Sequence, residues 1–176
     1  MAVHPILRIG DPRLRRVAEP VTEFATDSLH TLISDMFETM HAADGAGLAA
    51  PQIGINLRLM IFGVEATPRY PDAEAVPKTV LINPGYEVLS DATAGMWEGC
   101  LSVPGMRGYV TRSSHIRYWG FDVNGERIER ETNGYHSIVF LHEYDHLDGI
   151  LYTDRLDDSR RFGFTEELAM SGALET

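Results

Sequence analysis

Five consecutive residues carry the first chemical signal: His142-Glu143-Tyr144-Asp145-His146 reads H-E-x-x-H. On a helix, residues four apart are neighbours with Cβ atoms roughly 5–6 Å apart, so both imidazoles can reach one ion. Glu143 is turned about 100° from His142 around the axis. That makes it an awkward third ligand but a good general base for a water activated by the ion. The chemistry this predicts is metal-assisted hydrolysis. The four residues before His142, Ile138-Val139-Phe140-Leu141, are all apolar. The helix is therefore buried, and two buried histidines need partners for their nitrogens. A solvated face with two chance histidines does not fit that setting.

Two neutral nitrogens leave an ion short, because three protein ligands plus water is the usual catalytic arrangement. A metzincin pattern would put His six residues after His146; Tyr152 stands there, although Gly149 matches. A gluzincin pattern needs a Glu about twenty residues downstream, and Glu166 and Glu167 satisfy that spacing. However, Thr165-Glu166-Glu167-Leu168 also reads as an acidic helix start, where carboxylates sit for dipole reasons. The lone cysteine, Cys100, lies in the tight segment Glu98-Gly99-Cys100-Leu101-Ser102-Val103-Pro104. One cysteine excludes an intrachain disulfide and fits a reducing compartment. Two His and one Cys suit Zn or Fe(II). A Cys100 nucleophile with His142 as its base would leave His146 without a part. On the residues alone, Cys100 and Glu166 both remain open as the third ligand. A non-catalytic, metal-stabilised binding module is the reading from a different class, and in it Glu143 would be idle.

The elements that must position these groups are legible in part. Leu29, Leu32, Ile33, Met36, Phe37 and Met40 fall at steps of three and four, which predicts an amphipathic helix capped at Asp27 or Ser28 and stopped by Gly45. Leu57 to Val64 reads as a strand, and Pro68 to Pro77 as a surface loop. Thr79 to Asn83 and Tyr86 to Leu89 read as two strands parted by a Pro84-Gly85 turn. Tyr109 to Thr111 and Ile116 to Val123 are rich in aromatic and branched residues. Asn124-Gly125 predicts a type I′ hairpin into Glu126 to Thr132. Ser137 to Leu141 fits a strand or a buried helix until the H-E-x-x-H spacing decides for the helix, with Gly149 as its stop. A short helix is expected around Thr165 to Met170. Hairpin-paired strands with helices set apart indicate an α+β class, and the expectation is one catalytic domain over residues 1–176, ending in a short acidic tail at 163–176.

Bulk properties narrow the function. A formal charge of −11 disfavours nucleic-acid binding, which is carried by clustered Lys and Arg. Forty-four per cent hydrophobic residues would suit a membrane protein only if they ran together, and no apolar run approaches the roughly 20 residues a spanning helix needs. The first twenty residues lack an apolar signal core, so the expected setting is cytoplasmic.

Three separated blocks resemble one known family, the peptide deformylases. Gly45-Ala46-Gly47-Leu48-Ala49-Ala50-Pro51-Gln52 resembles its G-x-G-L-A-A-x-Q block, Glu98-Gly99-Cys100-Leu101-Ser102 its E-G-C-L-S block, and His142 to Leu147 its H-E-x-D-H-L block. The opening Ile6-Leu7 and Asp11-Pro12-Arg13-Leu14-Arg15 are also similar, and the resemblance runs from about residue 4 to 156. It implies a deformylase-like fold, with antiparallel or mixed sheets around a central H-E-x-x-H helix. The implied reaction is removal of the N-formyl group from the N-terminal formylmethionine of new polypeptides. The implied metal ligands are Cys100, His142 and His146, around native Fe(II) that Ni or Zn can replace. Glu143 would move the proton, Gln52 and the Leu101 N–H would bind the formyl oxygen, and the backbones of Gly47 and Gly99 would pair with an extended substrate. Arg107 is a further substrate-contact candidate, and Ile138 and Val139, one turn before His142, are candidate walls of a methionine pocket. Asp145 reads either as a partner orienting an imidazole or as a solvated carboxylate. The chain departs from the family where Leu141 stands in place of a common Gln. Some relatives also carry a basic C-terminal helix for the ribosome, whereas residues 163–176 hold Glu166, Glu167 and Glu175 and no Lys or Arg. No docking on ribosomal RNA by that route is expected.

Overall fold

The computed structural model describes residues 2–64 and 75–175. Residues 68–74 of the expected Pro68 to Pro77 loop lie outside that range. Val76 and Pro77 lie inside it and open a strand instead, with Val76 buried against Val64 across the ladder. Proline is tolerated there because the start of a strand need not donate on both edges.

Helix α1 (Asp27–Ala42) comes first, followed by strands β1 (Gly47–Ala49), β2 (Leu59–Val64), β3 (Val76–Val88), β4 (Thr93–Cys100), β5 (Val103–Ser113), β6 (His115–Phe121) and β7 (Arg127–Asn133). Helix α2 (Gly134–Leu147), strand β8 (Phe162–Phe164) and helix α3 (Thr165–Met170) complete the order. One sheet runs β1-β2-β3-β6-β7 and the other β4-β5-β8. Every strand pair within them is antiparallel, and a parallel bridge joins Glu19 to Leu57 outside the named strands. The architecture is α+β. Helix α2 packs on β1, β2, β6 and β7 of the larger sheet and on β5 of the smaller. A helix pressed from both sides has no polar stripe to show, which is why Ser137 to Leu141 is buried throughout.

The apolar spacing of α1 buries Leu29, Ile33, Met36 and Met40 against Leu48, Leu59, Ile61 and Ile82. Its cap is Thr26, whose hydroxyl accepts from Leu29 N at 3.2 Å, while the expected caps Asp27 and Ser28 fall inside the first turn. Its stop is Asp44 at φ +55°, with Asp44 N donating to His41 O at 3.1 Å and Gly45 N to Met40 O at 2.9 Å. These two bonds satisfy the last carbonyls. A Cβ on Gly45 would lie 2.8 Å from Leu101 Cδ1. At the end of α2, the expected stop does operate at Gly149 (φ +72°), with Gly149 N on His146 O at 3.3 Å and Ile150 N on Asp145 O at 2.9 Å.

Two local expectations are corrected. Thr79 to Asn83 and Tyr86 to Leu89 belong largely to the single strand β3, and Asn83-Pro84 forms a bulge in it, since the register moves from Ile82↔Phe121 to Gly85↔Trp119. Three steps on one strand oppose two on the other, so the extra residue absorbs the proline that lacks an N–H. The β6–β7 hairpin exists, but not as a type I′ turn: Gly125 has φ +82°, and Asn124 is not among the positive-φ residues. Asp122 replaces that geometry, its carboxylate accepting from Asn124 N at 2.8 Å and Glu126 N at 2.9 Å. A local side chain has outcompeted the dipeptide preference.

Phe140 of α2 is fully buried, stacked on Tyr118 with centroids 4.5 Å apart and edge-on to Phe62 at 6.4 Å. It cements the H-E-x-x-H helix to the large sheet. Phe140→Ala is expected to lower unfolding stability by about 3–5 kcal/mol in urea denaturation, a transfer and cavity cost combined. A loss under about 1 kcal/mol, the range of volume-conserving swaps, would contradict this packing.

Candidate metal centre

Three side chains from two distant stretches converge. Cys100 ends β4, and His142 and His146 sit one turn apart on α2; their ligand atoms all lie within 4.8 Å of one another. Cys100 Sγ is 3.3 Å from His146 Nε2, and the two imidazole centroids are 5.2 Å apart. Glu166, the alternative third ligand, is exposed on α3 at the mouth of the adjoining cleft and does not belong to this group.

The orientation of His142 is set from behind. Its Nδ1 lies 2.7 Å from Glu98 Oε2. An ionised carboxylate can only accept, so Nδ1 carries the proton and Nε2 faces the cysteine sulfur. Glu98 itself is buried and accepts from Arg112 at 2.5 and 3.0 Å. Burial alone would raise its carboxyl, but the bonds from His142 and Arg112 overcome that and bring it down to about 2. Arg112 donates onward to Asp145 at 2.8 Å, and Asp145 takes a second guanidinium from Arg155 at 2.9 Å. Asp145 is therefore buried and paired rather than solvated, and it reaches His142 only through Arg112 and Glu98.

The two imidazoles are pushed in opposite directions. Burial opposes charge on His142, yet the Cys100 sulfur and the Glu98 carboxylate hold its imidazole well above the usual range. Burial, with the positive charge of His142 and Arg112, holds His146 well below it, in the neutral form that ligates metals. A sulfur and two imidazoles, with a carboxylate behind one of them, are a donor group that could hold a divalent ion.

Beside the donors lies an unpaired acid. Glu143 is buried, and its Oε2 has no hydrogen-bond partner among the described residues. Burial pushes its carboxyl up to about 7. Its Oε1 lies where a Cβ on Gly47 would stand, at 2.4 Å, so only glycine leaves room for it. Likewise a Cβ on Gly99 would be 2.9 Å from Arg107 Nη1. Gln52 is nearly fully buried, and its neighbours settle which way its amide points. Oε1 accepts from Ala49 N at 2.8 Å, whereas Nε2 donates to Ser102 Oγ at 3.1 Å and contacts Cys100 Sγ at 3.5 Å. Leu101 and Ser102 make the two-residue connection between β4 and β5, with Cys100 paired to Val103. In such a turn the second residue's N–H has no partner within the turn. The cleft is lined by Gly47, Gly99, Arg107, Ile138, Val139 and Glu143, together with the donors Cys100 and His142. Leu141, by contrast, packs into the apolar cluster around Phe62 and Tyr118, away from the cleft.

Sequence reasoning quoted Glu98 only as part of a block, and gave no role to Arg112, Arg155 or Ser102. Glu98 was within reach: it lies two residues before Cys100 on one strand, hence on the same face. Nothing local marks Arg112, fourteen residues away from Glu98 across a hairpin.

With this geometry in view, the similarities to known proteins are specific. The polypeptide deformylase family model matches residues 3–162. The chain is 60% identical over 166 residues to peptide deformylase 2 of Ralstonia nicotianae and 59% identical to peptide deformylase 1 of Bordetella pertussis, in each case over 94% of both chains. Among solved structures, the class I type b peptide deformylase of Acinetobacter baumannii bound to Met-Ala-Ser matches with a TM-score of 0.83 and 36% identity, over 88% of this chain and 99% of that one. The peptide deformylase of Thermotoga maritima matches with a TM-score of 0.80 and 37% identity, over 90% and 100%. The chain belongs to the peptide deformylase family.

Proposed function

We propose that this enzyme removes the N-formyl group of new polypeptides with one divalent ion, Fe(II) in the native state, held by Cys100, His142 and His146. The observation that carries the reading is the convergence of those three donors beside a buried carboxylate, Glu143, whose Oε2 has no hydrogen-bond partner among the described residues. When bound, the ion supplies Lewis acidity that activates water and polarises the formyl carbonyl; Zn or Ni could occupy the same donors.

The chain's own residues do the rest. Glu143 takes a proton from the attacking water as its oxygen bonds to the formyl carbon. It then delivers that proton to the peptide nitrogen as the C–N bond breaks, leaving the amine and formic acid, whose remaining acid proton passes to the amine to give formate and the ammonium form. A carboxyl near 7 suits both tasks. Gln52 Nε2–H and the Leu101 N–H face the oxygen on which negative charge develops. The backbones of Gly47 and Gly99 bind the extended peptide as an added strand, Arg107 contacts it further along, and Ile138 and Val139 wall the methionine side chain. The reading takes residues 1–176 as one catalytic domain. It takes the nascent chain as partner, with transient ribosome proximity but no RNA docking through residues 163–176. Among the described residues, no helix is long and apolar enough to cross a membrane. A cytoplasmic setting is supported by the lone thiol, which a reducing compartment preserves.

The direct test is formate release from a formyl-Met-Ala-Ser peptide by anaerobically prepared protein with its metal quantified. Glu143→Gln should lower kcat by roughly 10²–10⁴-fold, the usual worth of a positioned acid–base group, while one metal per chain stays bound. Retained turnover would remove Glu143 from the mechanism. Cys100→Ala should cost metal as well as activity, whereas Glu166→Ala should keep its metal; the reverse pattern would favour the gluzincin-type endopeptidase.

A further inference from the structure

The segment preceding α1 reaches two turns beside the centre and the end of α2 without contributing a side chain to the donors. His4 N donates to Thr39 Oγ1 of α1 at 2.9 Å, anchoring one end. Leu7 N then donates to Gln52 O, and Ile9 N to Ser102 O, both at 2.8 Å. Further on, Ala18 N donates to Leu147 O at the end of α2, also at 2.8 Å. One strap, which includes the short 3-10 turn Pro12–Arg15, therefore ties the Gln52 turn, the Cys100–Ser102 turn and the end of the helix of the histidines.

Ser102 is where this tie meets the chemistry. It is fully buried, its hydroxyl accepts from Gln52 Nε2 at 3.1 Å, and its N–H points at Cys100 Sγ at 3.4 Å. A shift of Ser102 would move the amide that faces the developing oxyanion and the sulfur that holds the ion. The side chain of Ile9 is 46% exposed and packs little. What the position offers is its N–H.

We infer that Ile9 is a positioning residue for the deformylation reaction, acting through its backbone N–H on Ser102 and so on Gln52. This rests on the oxyanion role given to Gln52, and Gln52→Ala in the parent tests that role separately. A misplaced donor costs transition-state binding more than ground-state binding. The strap should therefore be read in kcat and not in KM.

The experiment replaces Ile9 by its α-hydroxy acid, exchanging the N–H for an ester oxygen and keeping the side chain. Formate release is measured on the metal-loaded full chain with metal content alongside. Expected is a fall in kcat of roughly tenfold with KM within about twofold and one metal retained. Ile9→Val, which keeps the N–H, should restore the parent kcat. In a Ser102→Ala background the ester should add less than about threefold, because both changes act on one amide. An ester variant with parental kcat overturns the inference, as does one that fails to fold or loses metal in step with kcat, since the strap would then be only a fold element. Full additivity with Ser102→Ala overturns the route through Gln52. Should Gln52→Ala itself keep kcat, the oxyanion assignment is what fails.

Discussion

A buried carboxylate governs this molecule. Glu98 is taken out of water, at a cost of several kcal/mol for an isolated ion, and it is ionised there because His142 Nδ1 and the Arg112 guanidinium both donate to it. That requirement fixes three elements at once: β4, which carries Glu98 and Cys100, β5, which carries Arg112, and α2, which carries both histidines and Asp145. The orientation of the imidazole follows from satisfying the carboxylate. The same logic carries the pairing outward through Asp145 to Arg155, whose side chain reaches solvent.

Space is controlled as tightly as charge. Helix α2 must pass close to the turn after α1, and Gly47 permits it by leaving the volume that Glu143 Oε1 occupies. A Cβ on Gly45 would meet the tip of the Leu101 side chain, and one on Gly99 the Arg107 guanidinium. Gly47 lines the cleft beside the donors, where its missing Cβ makes room for the acid. Burial of Glu143 follows from this closeness, and its raised carboxyl pKa follows from the burial.

Comparison of particular elements explains what could be read in advance. The stripe of α1, the H-E-x-x-H pair and the turn at Gly149 depend on residues within one or two helical turns, and each was legible. Failures occurred where a distant or competing partner decided the outcome. Pro84-Gly85 looked like a turn until β6 supplied a ladder able to host a bulge, and Asn124-Gly125 lost its preferred turn to the carboxylate of Asp122. Asp44, rather than Gly45, takes the left-handed conformation after α1.

The sequence by itself determined the chemistry: two histidines at helical spacing, an acid between them, a single thiol, and three blocks in the order of one family. Those signals are local, and covalent spacing alone makes them meaningful. Only the tertiary structure decided that Cys100, not Glu166, joins the histidines, which nitrogen of His142 is free, which way the Gln52 amide points, and that Arg112 and Ser102 stand behind them. Each of these is a contact between residues far apart in the chain, set by the packing of two sheets on one helix, and no spacing rule reaches across such a distance.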